Sequence, residues 1–310
     1  VDYIPLPRWR IFLIQLLNIA GTGPIFGAIL GACYGPVAFV WITLGGIFMG
    51  AMHDFLSGVI SLRNGGKSLT EIISKYLGRG TGRFTLVMIP ILMVLVGAVF
   101  IVTPSKILDS MTDIPYLVWV GIIIVYYFIA TVLPVDKIIA KIYPIFGAAL
   151  IFMALAMFGV LLFGDYDIPE LTTLDNMHAK ASELPIIPTL CISIACGAIS
   201  GFHATQSPLM ARCMTNEKQA RPIFFGAMIS ESVIALVWAA VAMAFFGGVE
   251  GLNDAMIEMR GDAGTAVSTI TVTTLGTVGS ILALLGMVAA PITSGDTAFR
   301  SARLIIADVF

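Results

Sequence analysis

The sequence predicts an all-α, multi-pass membrane bundle organised around two broken helices. Three observations carry that prediction: apolar runs long enough to cross a bilayer, basic residues gathered on alternate loops, and two glycine- and proline-rich interruptions inside runs that would otherwise be continuous.

Composition sets the class. Of 310 residues, 58% are hydrophobic and 12% charged, and mean hydropathy is +0.97, whereas soluble domains are roughly 45–50% apolar. The net charge of −2, with no basic run interleaved with aromatics, argues against a nucleic-acid partner. Cys33, Cys191 and Cys196 fall in or at the end of apolar runs and Cys213 just beyond one, without disulfide or metal-binding spacing, so they are expected to be small packing residues and no cofactor is expected. The opening Val1-Asp2-Tyr3-Ile4-Pro5 is unlike a signal peptide, and the missing methionine suggests a trimmed or partial start.

Eight runs have spanning length: 11–33 (broken), 36–62, 84–104, 116–134, 142–163, 184–210 (broken), 222–246 and 265–292, followed by a terminal stretch over 296–310. Over 68–78, Leu69, Ile72, Ile73, Tyr76 and Leu77 repeat at helical spacing against Glu71, Ser74 and Lys75, which predicts an amphipathic surface helix. Fourteen of the 17 lysines and arginines fall on one set of alternate loops; the other set holds only Lys106, Lys180 and Arg260 but eleven acids. The positive-inside rule then places the start of the chain in the cytoplasm and residues 165–183 in an acidic loop outside it.

The first interruption is Asn18-Ile19-Ala20-Gly21-Thr22-Gly23-Pro24. Glycine weakens a helix, and proline removes a donor and pushes its predecessor out of the helical region. Pro24 suits the first turn of a second half-helix capped by Thr22 or Gly23. Asn18, Thr22 and the free amides around Gly21 and Gly23 then form a cradle for a carboxylate or an ion, because lipid cannot satisfy such groups. The second interruption lies five spans later, between Ile194 and Pro208. An odd number of spans per unit makes the two units inverted repeats, 1–164 and an incomplete 184–310.

Charged and titratable groups inside spans are the coupling candidates. His53-Asp54 stands in the second span, and Asp54 is the first choice for carrying a proton; an ionised, hydrogen-bonded structural role is its alternative. Glu231 in the seventh span is the second choice. His203 can donate, carry a proton or simply hold unwound backbone. Thr269, Thr273, Thr277 and Ser280 recur near every fourth position, a face that could coordinate Na⁺ or could glue helices together. Ser294-Gly295-Asp296-Thr297 reads as a helix start with Ser294 as its cap and Asp296 on the positive end of the dipole.

The stretches Asn18–Pro24, Gly50-Ala-Met-His-Asp-Phe55, Ala195-Cys-Gly-Ala-Ile-Ser-Gly-Phe-His203 and Thr293-Ser-Gly-Asp-Thr-Ala-Phe-Arg300 resemble the carbon starvation protein A (CstA) family, nearly end to end. The resemblance implies a bacterial inner-membrane transporter importing peptides or pyruvate, coupled to an ion gradient, proton first, with a LeuT-like five-plus-five fold whose helices 1 and 6 are broken. It implies that Cys196, Gly197, Ser200, Gly201 and His203 face the cradle of the first break, that Asp296 belongs to a signature stretch, and that longer relatives carry segments absent here. The reading is therefore a secondary carrier of small carboxylate-bearing nutrients embedded in lipid. A passive channel or ligand-sensing membrane domain is the alternative; a membrane-embedded enzyme would need a nucleophile–base pair or metal triad that His53, Asp54 and His203 do not spell out.

Overall fold

The computed structural model describes residues 5–21, 23–132, 135–195 and 203–307; the side chains of 110–111, 131–132, 135–144, 278, 280, 282–285 and 287 lie outside that description. Every regular element among the described residues is helical. In chain order these are α1 (Arg8–Ala20), α2 (Gly23–Ala32), α3 (Val37–Arg63), α4 (Leu69–Leu77), α5 (Arg79–Met111), α6 (Tyr116–Val132), α7 (Val135–Phe163), α8 (Ile186–Ala195), α9 (His203–Ala211), α10 (Gly226–Phe245), α11 (Val249–Glu258), α12 (Ala263–Leu284) and α13 (Ala290–Ala307).

Four helical stretches are individually long and apolar enough to cross a membrane: Val37–Arg63, Arg79–Asp109, Ile145–Phe163 and Glu217–Phe245. The α1 and α2 axes differ by 53°, and the pair taken together is long and apolar enough for a fifth, bent span. Tyr116–Ala130 and Ile186–Ala195 are apolar but shorter. The burial pattern is that of a membrane protein. Leu117, Phe128 and Phe163 are more than two-thirds exposed, while Gln15, Asp54, Gln206, Glu231 and Asp296 are fully buried. Apolar side chains cover the outside and polar ones lie inside, the arrangement a bilayer demands.

Two sequence expectations are corrected at the C-terminal end. The chain does not restart a helix at Ser294, because Ser294 and Asp296 lie inside α13, which follows α12 through a π-helical segment at Leu285–Ala289. The backbone break falls instead at Gly276 (φ 57°, ψ −138°), a conformation that costs glycine little. Ser294 is no cap: its hydroxyl donates to the Asn18 carbonyl at 3.1 Å and reaches the Leu17 carbonyl at 3.5 Å. It therefore ties α13 to the last turn of α1, where the Leu17 carbonyl also accepts from the Gly21 amide at 3.4 Å.

Helix α4 has the features of a well-started helix. Ser68 and Glu71 form a reciprocal capping box, with the Ser68 amide donating to Glu71 Oε2 at 2.9 Å. Helix α1 sits at the centre, packed by α7, α9, α10 and α13. Helices α3 and α10 approach closely along a stripe of small residues. A Cβ on Gly46 or Gly50 would run into Ser232 or Met228 of α10, and one on Gly58 into Phe224 of the π turn Arg221–Phe225 that leads into α10, so these three contacts step back along the chain four residues at a time as they climb α3. Asp54 occupies the same four-residue register between Gly50 and Gly58. Close packing of the two helices is what carries its carboxylate into the interior.

Candidate functional site

Helix α1 ends where the first interruption begins to act. Asn18, Ile19 and Ala20 remain helical, and the chain turns at Gly21 (φ 49°, ψ −134°), so the break is narrower than the seven residues expected. Helix resumes at Gly23 with a π turn over Gly23–Gly27, and Pro24 sits second in it. A Cβ at Gly21 would stand 3.2 Å from both Phe100 and Ser294, so backbone conformation and space both favour glycine. Thr22, Cys196, Gly197, Ser200 and Gly201 lie outside the described residues.

His203 is the first described residue of α9 and is 1% exposed. Its ring stands between two buried carboxylates: Nδ1 lies 3.6 Å from Asp54 Oδ2 and Nε2 lies 3.7 Å from Glu231 Oε2. The side chain also interacts with the Ile19 backbone. Asp54 continues the line outward, since its Oδ1 is 3.2 Å from Nδ1 of His53, a side chain 45% exposed. Gln15 of α1 donates to Ser207 Oγ at 3.0 Å and to Asp54 Oδ2 at 3.5 Å. Four helices thus converge: α1 gives Gln15 and Asn18, α3 gives His53 and Asp54, α9 gives His203, Gln206 and Ser207, and α10 gives Glu231.

The arrangement leaves polar capacity unused. Gln15 Oε1, Asn18 Oδ1, both polar atoms of the Gln206 amide, His203 Nε2 and both Glu231 oxygens are buried without a hydrogen-bond partner among the described residues. Each such group costs about 1–3 kcal/mol if left so. The two histidine–carboxylate separations are slightly too long for direct hydrogen bonds, and a small shift of either side chain brings them into range. A buried imidazole between two carboxylates can accept a proton from one side and hand it to the other.

Asp54, Glu231 and His203 were expected individually, and they meet in one cluster with His53 beside them. Asn18 and Gly21 lie on the adjoining end of α1. Asp296 does not join: Arg300, four residues on, approaches both its oxygens at 3.3 Å and donates to the Ala130 carbonyl at 2.6 Å. The threonine stripe does not form one site either. Thr269 Oγ1 donates to its own helix at Thr265 (2.9 Å), Thr273 and Thr277 are exposed, the Ser280 side chain is outside the described residues, and the break at Gly276 divides the face.

Sequence reasoning missed Gln15, Gln206 and Ser207. The signal was present: Gln15 precedes Asn18 by three residues in an apolar run, and Gln206 and Ser207 follow His203 by three and four, the spacing of one helix face.

The family model of carbon starvation protein CstA matches residues 1–115 and 102–277. An uncharacterized membrane protein of Haemophilus influenzae is 42% identical, over 83% of this chain and 83% of that protein. The chain belongs to the CstA family. Two further members from Escherichia coli are more distant: the peptide transporter CstA, 27% identical over 86% of this chain, and the pyruvate/proton symporter BtsT, 26% identical over 76%. The chain spans less than half the length of those two CstA-family transporters, 47% and 42%.

Proposed function

We propose that this protein is a secondary carrier that moves a small carboxylate-bearing nutrient, a peptide or pyruvate, across a bacterial inner membrane in symport with protons. The observation that carries this reading is the buried Asp54–His203–Glu231 line, set beside the end of α1 in a bundle with several helices apolar enough to cross a membrane. Titratable groups at that depth are expensive and occur where ions or protons pass. The relatives named as a peptide transporter and a pyruvate/proton symporter support the same reading.

In this mechanism the broken first span offers half-helix amides and Asn18 to the substrate carboxylate, with Cys196, Gly197, Ser200, Gly201 and His203 opposite, as an inverted five-plus-five repeat would arrange them. Asp54 takes the coupling proton, His203 relays it and Glu231 stores it. His53, half exposed, is the exchange point. The start of the chain lies in the cytoplasm, by the distribution of arginine and lysine.

Uptake of labelled pyruvate and of a dipeptide into proteoliposomes, with an imposed pH gradient, tests this. The expected result is accumulation that a protonophore abolishes and that Asp54→Asn reduces at least tenfold while the protein stays folded. Equilibration indifferent to the gradient would make the protein a channel, and chemical conversion of the solute would make it an enzyme.

A further inference from the structure

A second, separate feature lies at the acidic end of the bundle. A cleft of about 490 Å³ opens between α2, α5 and the start of α12, within the size range of small-molecule sites. Its apolar wall includes Phe26 and Leu30 of α2, the half-helix that starts at the first break. Its polar wall holds Lys106 on one side and Asp262 and Ser268 on the other.

The two charges differ in how they are held. Asp262 is fixed: Oδ1 accepts from the Gly264 amide at 2.9 Å and Oδ2 from Thr265 Oγ1 at 3.0 Å. A carboxylate oxygen has a second lone pair, so both remain able to accept from a ligand. Lys106 is exposed, and no carboxylate among the described residues lies within 4.0 Å of its ammonium. A simple anion would satisfy Lys106 but face Asp262. A solute carrying both an ammonium and a carboxylate would satisfy both, with its hydrocarbon part against Phe26 and Leu30.

We propose that this cleft is a docking subsite for a zwitterion, holding the carboxylate at Lys106 and the ammonium at Asp262 before the solute reaches the break. The inference rests on the carrier reading only for where the solute goes next. The position of Phe26, two residues beyond Pro24, puts the docked solute against the half-helix whose first amides the carrier mechanism uses.

The test compares alanyl-alanine, its N-acetyl derivative and pyruvate in uptake by cells, with wild type, Lys106→Gln, Lys106→Arg and Asp262→Asn; asparagine keeps an acceptor for the helix start. Lys106→Gln is expected to raise KM for the dipeptide about fivefold with Vmax kept, the size of one partly exposed ion pair, and Lys106→Arg to restore it. Asp262→Asn is expected to raise KM for the dipeptide and to lower it for the two solutes without an ammonium. Unchanged KM in Lys106→Gln overturns the proposal, as does an Asp262→Asn effect equal for all three solutes. Equilibrium binding of the same solutes to the purified protein gives the same comparisons without transport. If the wild type moves none of them yet binds the dipeptide with this pattern, the carrier reading falls and the subsite stands; if it binds none, the subsite falls.

Discussion

Gln15 and Ser207 are 192 residues apart in sequence and 3.0 Å apart in space, the Gln15 amide donating to the serine hydroxyl across the seam between α1 and α9. Both are fully buried, so water cannot replace either partner. Gln15→Met keeps the volume but removes the donor, and is expected to destabilise the protein by about 1–3 kcal/mol. Adding Ser207→Ala removes the stranded hydroxyl, and the pair is expected to cost less than the sum of the two single changes. Thermal unfolding of the three variants in detergent measures this; strict additivity would mean that the bond contributes nothing.

The glycines on α3 and those facing outward predict opposite results. A Cβ at Gly58 would stand within 2.8 Å of three Phe224 ring atoms, whereas one at Gly121 meets nothing within 4 Å. Gly58→Ala is therefore expected to push α3 from α10 and to cost about 1–3 kcal/mol. Gly121→Ala is expected to stabilise by up to about 1 kcal/mol through helix propensity alone. Unfolding midpoints of the two variants decide it, and equal shifts would contradict the stripe as the reason Asp54 is buried.

The sequence made some features readable because a single local rule controlled them. Gly21 and Pro24 announced a break, the polar His53-Asp54 pair announced itself inside an apolar run, and the spacing of Leu69, Ile72, Ile73, Tyr76 and Leu77 announced an amphipathic helix. The site was less readable because it is made by convergence. Nothing local says that Asp54 and Glu231 share His203; that follows from α3 meeting α10 along Gly46, Gly50 and Gly58. Ser294 misled for a related reason. A serine before glycine and aspartate has capping chemistry, but its hydroxyl finds the Asn18 carbonyl across the helix interface, a long-range partner that overrides the local preference.

If Asp54, His203 and Glu231 relay one proton, neutralising either carboxylate should uncouple transport without preventing solute binding. Asp54→Asn and Glu231→Gln are each expected to lose gradient-driven uptake at least tenfold while keeping solute exchange across proteoliposomes at equal pH. The double variant is expected to be no worse than either single one, because groups acting as one unit are not additive. Loss of exchange together with uptake in a folded single variant would make that carboxylate part of solute binding or structure instead.

The acidic loop carries a pH prediction outside the membrane. Asn253 on α11 donates to the carbonyls of Cys33 (3.0 Å) and Met177 (3.2 Å) and accepts from the Ala179 amide (3.1 Å), while the Met177 amide donates to the Tyr34 carbonyl at 3.2 Å. His178 packs its ring 4.7 Å from that of Tyr34, and its Nδ1 accepts from the Lys180 amide at 3.0 Å. Partial burial, and then the nearby Lys180 charge, hold the imidazole below its ordinary value of 6.5. The docked loop thus favours the neutral ring, and the undocked loop binds the proton more readily. Docking is complete above about pH 6.5 and weakens as pH falls from there, because a protonated Nδ1 can no longer accept from Lys180. Hydrogen exchange of the loop amides is expected to quicken between pH 7.5 and 5.5 beyond the change in intrinsic rate. His178→Phe keeps the ring contact and should remove that dependence, whereas Asn253→Ala should undock the loop at both pH values. An unchanged pH response in His178→Phe would assign the sensitivity to the surrounding carboxylates.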